Sequence, residues 1–228
     1  MVIAAILVAL ILALAYLPQL WVRRAIDAHS AERPDFPGTG GEFARHLLDE
    51  MNLAHVQVEA SPQGDHYDPL TKTVRLAPRH LNGRSLSAVV IAAHEVGHAM
   101  QDATGYAPLA ARTRMARQAA AVEKVGSIVM LAAPLMMIFT KAPFLTLIQL
   151  MAGVLILAFT VLMHAVTLPV EFDASFSRAL PVLKAGRYIR DEDMGAARKI
   201  LRAAAFTYVA AAAMSVLDVM RWLRVLRF

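Results

Sequence analysis

Apolar positions run almost unbroken from Met1 to about Val22, and Arg23 and Arg24 follow at once. A run of that length can cross a hydrocarbon core of roughly 30 Å. No positive charge precedes it, and it is about twice as long as the apolar core of a signal peptide, so residues 1–22 read as an uncleaved anchor. The pattern then breaks up. Thr39-Gly-Gly-Glu42 has the spacing of a helix-capping box and leads into Phe43, Leu47 and Met51 at helical intervals. Val56, Val58 and Ala60 alternate with polar neighbours, as do Val74 and Leu76 within 72–77, and Ser61-Pro-Gln-Gly64 lies between the two runs. That arrangement predicts a β-hairpin with an extended return. Asn82-Gly-Arg-Ser85 supplies a turn and an N-cap for a helix reaching about Asp102.

Two more apolar stretches, 125–140 and 143–168, are parted only by Lys141-Ala-Pro143 and predict an antiparallel pair. Residues 169–202 are charged again, and an alanine-rich apolar segment fills 203–219. The expected layout is an anchor over 1–22, a water-facing region over 23–123 and spans over 124–141 and 142–168. A second charged region over 169–202 and a terminal helix over 203–228 complete it. Lys and Arg are concentrated between Arg23 and Arg117 and between Arg178 and Arg202, which places both charged regions on the cytoplasmic side. If the last segment also spanned, Arg221, Arg224 and Arg227 would lie outside, so it reads as a packed or interfacial helix, with a fourth span as the alternative. The expected fold is mainly α: a membrane protein with three transmembrane helices, four in that alternative, and a small β-hairpin or sheet beside the 86–102 helix.

Composition agrees with this. The chain is 57% hydrophobic and only 18% charged, against about 25% charged in an average soluble chain, which excludes intrinsic disorder. With no cysteine there is no disulfide framework, iron–sulfur cluster or thiolate zinc site. The net charge of +5 is read as the basic excess of cytoplasmic loops against a lipid bilayer, not as a nucleic-acid footprint.

His94-Glu95-Val96-Gly97-His98 is an H-E-x-x-H sequence inside the expected helix. Residues i and i+4 share a helix face, so both imidazoles reach one metal ion with Glu95 beside them. By chance the motif would occur in only about one chain in a hundred of this length. The apolar run before it buries the helix, where unpaired His and Glu would be costly. Zinc in such a site takes a third protein ligand and keeps an open position for water, whose proton Glu95 accepts as general base. The third ligand is expected in Leu168-Pro-Val-Glu171-Phe-Asp173, with Pro169 starting a new helix as the chain leaves the membrane. Glu171 and Asp173 point in different directions, so one of them ligates, and Glu171 is favoured. Asp65-His-Tyr-Asp68 lies between the two strand runs, and His66 or Tyr67 is a candidate donor to a tetrahedral oxyanion. The strand at 72–77 is a candidate edge for an extended substrate. His29, His46, His55 and His80 read as solvated surface residues, and His164 as an interfacial one.

Three motifs, Asp65-His-Tyr-Asp-Pro69, Ala92-Ala-His-Glu-Val-Gly-His-Ala-Met-Gln101 and Leu168-Pro-Val-Glu-Phe-Asp-Ala-Ser175, resemble in this order the YugP-like membrane zinc metallopeptidases of bacteria. The likeness covers nearly the whole chain. That family in turn resembles the HtpX/Ste24 type of gluzincin, which has a zincin-like catalytic region and a Glu at a later helix as its third zinc ligand. The resemblance implies His94, His98 and Glu171 as zinc ligands and Glu95 as the general base. It also implies a protein or peptide substrate and a place in the bacterial cytoplasmic membrane. Where the HtpX/Ste24 pattern has an Asp four residues after its ligand Glu, this chain has Ser175, with an acid at Asp173 instead. Either is a candidate to hold a ligand histidine from behind. The competing expectation is a scaffold or adaptor with a structural zinc site. Neither oligomeric state nor specificity follows from the sequence.

Overall fold

The computed structural model describes residues 2–119 and 143–207 of the chain. In order, α1 (Val2–Asp27) is followed by α2 (Gly40–Glu50) and the strands β1 (Gln57–Ala60), β2 (His66–Asp68) and β3 (Thr73–Leu76). Helices α3 (Pro78–Leu81) and α4 (Leu86–Ala103) come next, then α5 (107–119). Beyond residue 142, α6 (Pro143–Phe172) runs into a π-helical turn at Asp173–Ala179. There follow α7 (Leu180–Ala185), a 3-10 turn at Asp191–Asp193 and α8 (194–207). The fold is mainly helical with one small sheet, as the pattern predicts.

Local chemistry sets the helix starts. Thr39 accepts from the Glu42 backbone N–H while the Glu42 carboxylate accepts from the Thr39 N–H, a complete capping box for α2. The Ser85 hydroxyl accepts from the Ala88 N–H at the start of α4. α4 is the central element. All but its last turn is buried, packed against α2, α3, the sheet, the π-helical turn and α7. Leu47, Leu48, Leu76, Val90, Leu183, Ile200 and Leu201 fill the core around it.

The sheet departs from the expected hairpin. β3 is its central strand: β1 pairs with it in parallel (Val58 opposite Val74) and β2 antiparallel (Tyr67 opposite Val74). The hairpin is therefore β2–β3, with β1 added alongside. The short strand around Tyr67 was not visible as alternation because it is only three residues long. With β3 flanked on both sides, 72–77 has no free edge for a substrate strand.

The expectation of three or four transmembrane helices is not met. Among the described residues no helix is long and apolar enough to cross a membrane. The physical reason lies in how the apolar runs are used. Val22 and Ile26 of α1 are buried in the core while Arg23, Arg24 and Asp27 stand exposed around them, and Pro18 lies inside the helix. α6 likewise ends in the core through Thr167, Val170 and Glu171. The expected span at 124–141 and the terminal residues 208–228 lie outside the described residues, as does the side chain of His164. Pro169 opens no new helix: α6 is continuous through it to Phe172.

Candidate metal centre

His94 and His98 project from one face of α4, their ring centroids 4.8 Å apart. Opposite them, the last turn of α6 presents Glu171. α4 approaches this segment closely at Gly97, where a Cβ would stand 2.7 Å from the Ala174 carbonyl oxygen, so glycine is required there. His94 Nε2 lies 3.2 Å and His98 Nε2 3.3 Å from Glu171 Oε2, and all three residues are at least 95% buried.

Each of the three has a partner behind it. The Ser175 hydroxyl donates to the Leu201 carbonyl at 3.2 Å, so its oxygen accepts from His94 Nδ1–H at 3.0 Å. His98 Nδ1 lies 2.9 Å from Gln101 Oε1. Arg112, from α5, places Nη1 at 3.2 Å from Glu171 Oε1. With both Nδ1 atoms used as donors, both Nε2 atoms are presented to a single carboxylate oxygen. Neutral imidazoles would set two lone pairs against that oxygen, which is repulsive unless a cation lies among them. The ligating atoms of His94, His98 and Glu171 all lie within 4.8 Å of one another. Two histidines and a glutamate are a donor set used by catalytic zinc sites, so these residues fit such an ion.

The electrostatics are those of a buried, charged pocket. Burial pushes the Glu171 carboxyl up, but without a metal His98 and His94 in their protonated form, charged and donating to it, outweigh burial and hold it well below the usual carboxylate range. Glu95, buried beside them, is pushed up to about 8, first by burial and then by the charges of Asp65 and Glu171, with His94 opposing.

Asp173 and Ser175 both lie behind this cluster, but in different ways. Ser175 touches His94 directly, whereas Asp173 accepts from Gln101 Nε2 at 2.8 Å and from Arg178 Nε at 2.8 Å. The hydrogen bonds of Tyr67 and His66 go to partners other than the cluster. Tyr67 faces α4 from the sheet, buried, and its hydroxyl donates to Asp102 Oδ2 at 2.6 Å. His66 occupies the opposite strand face, in the row of Arg75, with Nδ1 3.1 Å from the Gly64 carbonyl.

Three contributors carried no signal of their own: Gln101, Arg112 and the pair Asp65–His80. His80 is not at the surface but only 2% exposed, with Nδ1 2.8 Å from Asp65 Oδ2. Asp65 also accepts from the Ala77 N–H at 2.8 Å.

A family profile described as "Putative neutral zinc metallopeptidase" matches residues 4–227 of the chain. The chain is also 35% identical over 216 residues to a protein of Bacillus subtilis (strain 168) named "Putative membrane protease YugP", covering 94% of this chain and 92% of the relative. No solved structure matches it.

Proposed function

The chain belongs to this neutral zinc metallopeptidase family, and on that premise we propose that it is a zinc-dependent endopeptidase of gluzincin type. His94, His98 and Glu171 hold the metal, and Glu95 acts as general base. The convergence of the two Nε2 atoms on Glu171 Oε2 within buried surroundings carries the reading. When bound, zinc supplies Lewis acidity toward a peptide carbonyl and makes water nucleophilic near neutral pH. In the ionised form that a metal's positive charge beside it would favour, Glu95 takes the proton of the attacking water at its carboxylate and passes it to the leaving amine. Ser175 keeps His94 in the tautomer that leaves Nε2 free. Arg112 occupies Glu171 Oε1, so that Oε2 is the oxygen offered to the metal. Among the described residues the cluster has three members, which favours an open catalytic position over the closed four-ligand site of a structural zinc.

Substrates in this proposal are proteins or peptides met at a membrane surface. The curated relative is named a membrane protease, and this chain exposes Leu17, Leu20 and Trp21 on α1 and Phe144, Ile148, Met151 and Leu155 on α6. Its basic excess suits the anionic cytoplasmic leaflet, and the site is assigned to that side.

The test measures zinc content and hydrolysis of an unfolded protein such as casein for the wild type, Glu171→Gln and Glu95→Gln. The wild type is expected to carry about one zinc per chain and Glu171→Gln to lose it. Glu95→Gln keeps the zinc while hydrolysis falls by at least about 100-fold. Undiminished zinc in Glu171→Gln refutes the ligand set, and undiminished hydrolysis in Glu95→Gln refutes the base.

A further inference from the structure

Gln101, three residues after His98, is fully buried, and its whole amide is engaged. Nε2 donates to the Val170 carbonyl and to Asp173 Oδ2, both at 2.8 Å, and Oε1 faces His98 Nδ1 at 2.9 Å. A carbonyl and a carboxylate only accept, so the amide has one permitted orientation. Its oxygen must accept, and His98 Nδ1 must donate. Asp173 is held in turn by Arg178 Nε at 2.8 Å, and the Arg178 guanidinium lies 5.7 Å from the centre of the Tyr106 ring.

We propose that Gln101 is a positioning residue, the junction of a relay Arg178–Asp173–Gln101–His98 that presents His98 Nε2 to the metal. The same amide ties α4 to the backbone one residue before Glu171, so a single side chain fixes a ligand's tautomer and the distance between the two ligand-bearing segments. The inference rests on the zinc-peptidase reading and assigns the control of its metal affinity. Loss of such an outer contact at a zinc histidine weakens binding by about 10–100-fold.

The relay makes a prediction that simple packing does not. Exchanging donor and acceptor between positions 101 and 173 preserves its logic. In Gln101→Glu with Asp173→Asn, residue 101 still accepts from His98 Nδ1–H. The amide at 173 donates to it, and the oxygen at 173 still accepts from Arg178. At the Val170 carbonyl a carboxylate oxygen replaces the donating N–H, and the Arg178 contact loses its ion pair, so the exchange restores the His98 contact at a cost and recovery is partial.

The experiment measures zinc affinity of the full chain by competition with a chromophoric chelator, with Glu171→Gln as the control for the site. Gln101→Ala is expected to bind zinc about 10–100-fold more weakly than wild type, and the double exchange to bind it more tightly than Gln101→Ala. Wild-type affinity in Gln101→Ala overturns the proposal. So does a weakened Gln101→Ala that the double exchange fails to improve, which would assign the effect to packing. A wild type without zinc, or Glu171→Gln with undiminished zinc, overturns the zinc centre itself, and the relay falls with it.

Discussion

Substituting Gly97 by alanine places one methyl group at the tightest point between the two halves of the centre. The new Cβ would stand 2.7 Å from the Ala174 carbonyl oxygen and 3.3 Å from its carbon. Ordinary contact begins near 3.5 Å, and the obstacle is backbone, so the π-helical turn must retreat by roughly 0.5–0.8 Å. Overpacking of that kind costs about 1–3 kcal/mol, and alanine returns about 1 kcal/mol of helix propensity. The net loss is about 0–2 kcal/mol, or a fall of up to about 8 °C in Tm for a chain of this size. Metal binding should suffer more, because Ser175 rides on the displaced turn, Glu171 lies two residues before it, and metal–ligand distances tolerate only about ±0.2 Å. The zinc affinity of Gly97→Ala is expected to drop by about tenfold or more. The control is Gly195→Ala in α8, where a Cβ meets nothing within 4 Å and alanine should add up to about 1 kcal/mol. Thermal unfolding with and without zinc, together with chelator competition, reads both quantities. A Gly97→Ala protein at least as stable as wild type, with wild-type zinc affinity, would refute the argument that α4 and the turn are locked in backbone contact there.

Tyr67→Phe separates a structural hydroxyl from a catalytic one. Its bond to Asp102 predicts a loss of about 1.5–3 kcal/mol in thermal unfolding, with casein hydrolysis per bound zinc nearly unchanged. A fall of about 100-fold in hydrolysis at unchanged stability would return the oxyanion role to Tyr67. Asp65→Asn should destabilise in a pH-dependent way, because asparagine offers one acceptor where His80 and the Ala77 N–H both need one. Burial raises the Asp65 carboxyl, but His80, the Ala77 N–H and the Arg79 charge outweigh it and bring it below its ordinary 3.8. A depressed folded value means the stabilisation is present above about pH 4 and is lost as pH falls through the folded pKa. The wild-type advantage over Asp65→Asn in Tm should therefore be full at neutral pH and vanish in acid, and a constant difference across that range would count against the Asp65–His80 pair.

Much of the fold was legible where the signal is local. A capping box is four consecutive residues, so Thr39–Glu42 announced α2 without reference to anything else. Ser85 and the apolar run after it announced α4 in the same way. The strands were harder, since pairing depends on which partner arrives: alternation at 56–60 and 72–77 was visible, but not that β2 would make β3 a central strand. The apolar runs were the least legible of all. Hydropathy counts residues along the chain and is blind to which turns of a helix the core takes. Val22 and Ile26 at one end of α1, and Val170 and Glu171 at one end of α6, belong to the folded core despite lying at the margins of stretches that read as lipid-facing.

The candidate site divides along the same line. His94, Glu95 and His98 are recognisable because a helix brings i and i+4 together wherever it sits. Glu171 is 77 residues further on and could be reached only through chemistry: two histidines and no cysteine left the metal short of a ligand, and the acids near 171 were the best supply. The contacts behind the ligands offer no such handle. What Gln101 does is fixed by where the Val170 carbonyl and Asp173 come to lie, and what Ser175 does by the Leu201 carbonyl, which takes the hydroxyl proton and leaves the oxygen to accept from His94. An amide or a hydroxyl has no intrinsic direction in a sequence. It acquires one only when tertiary structure supplies an acceptor on one side, and the tautomer of each histidine then follows from that choice.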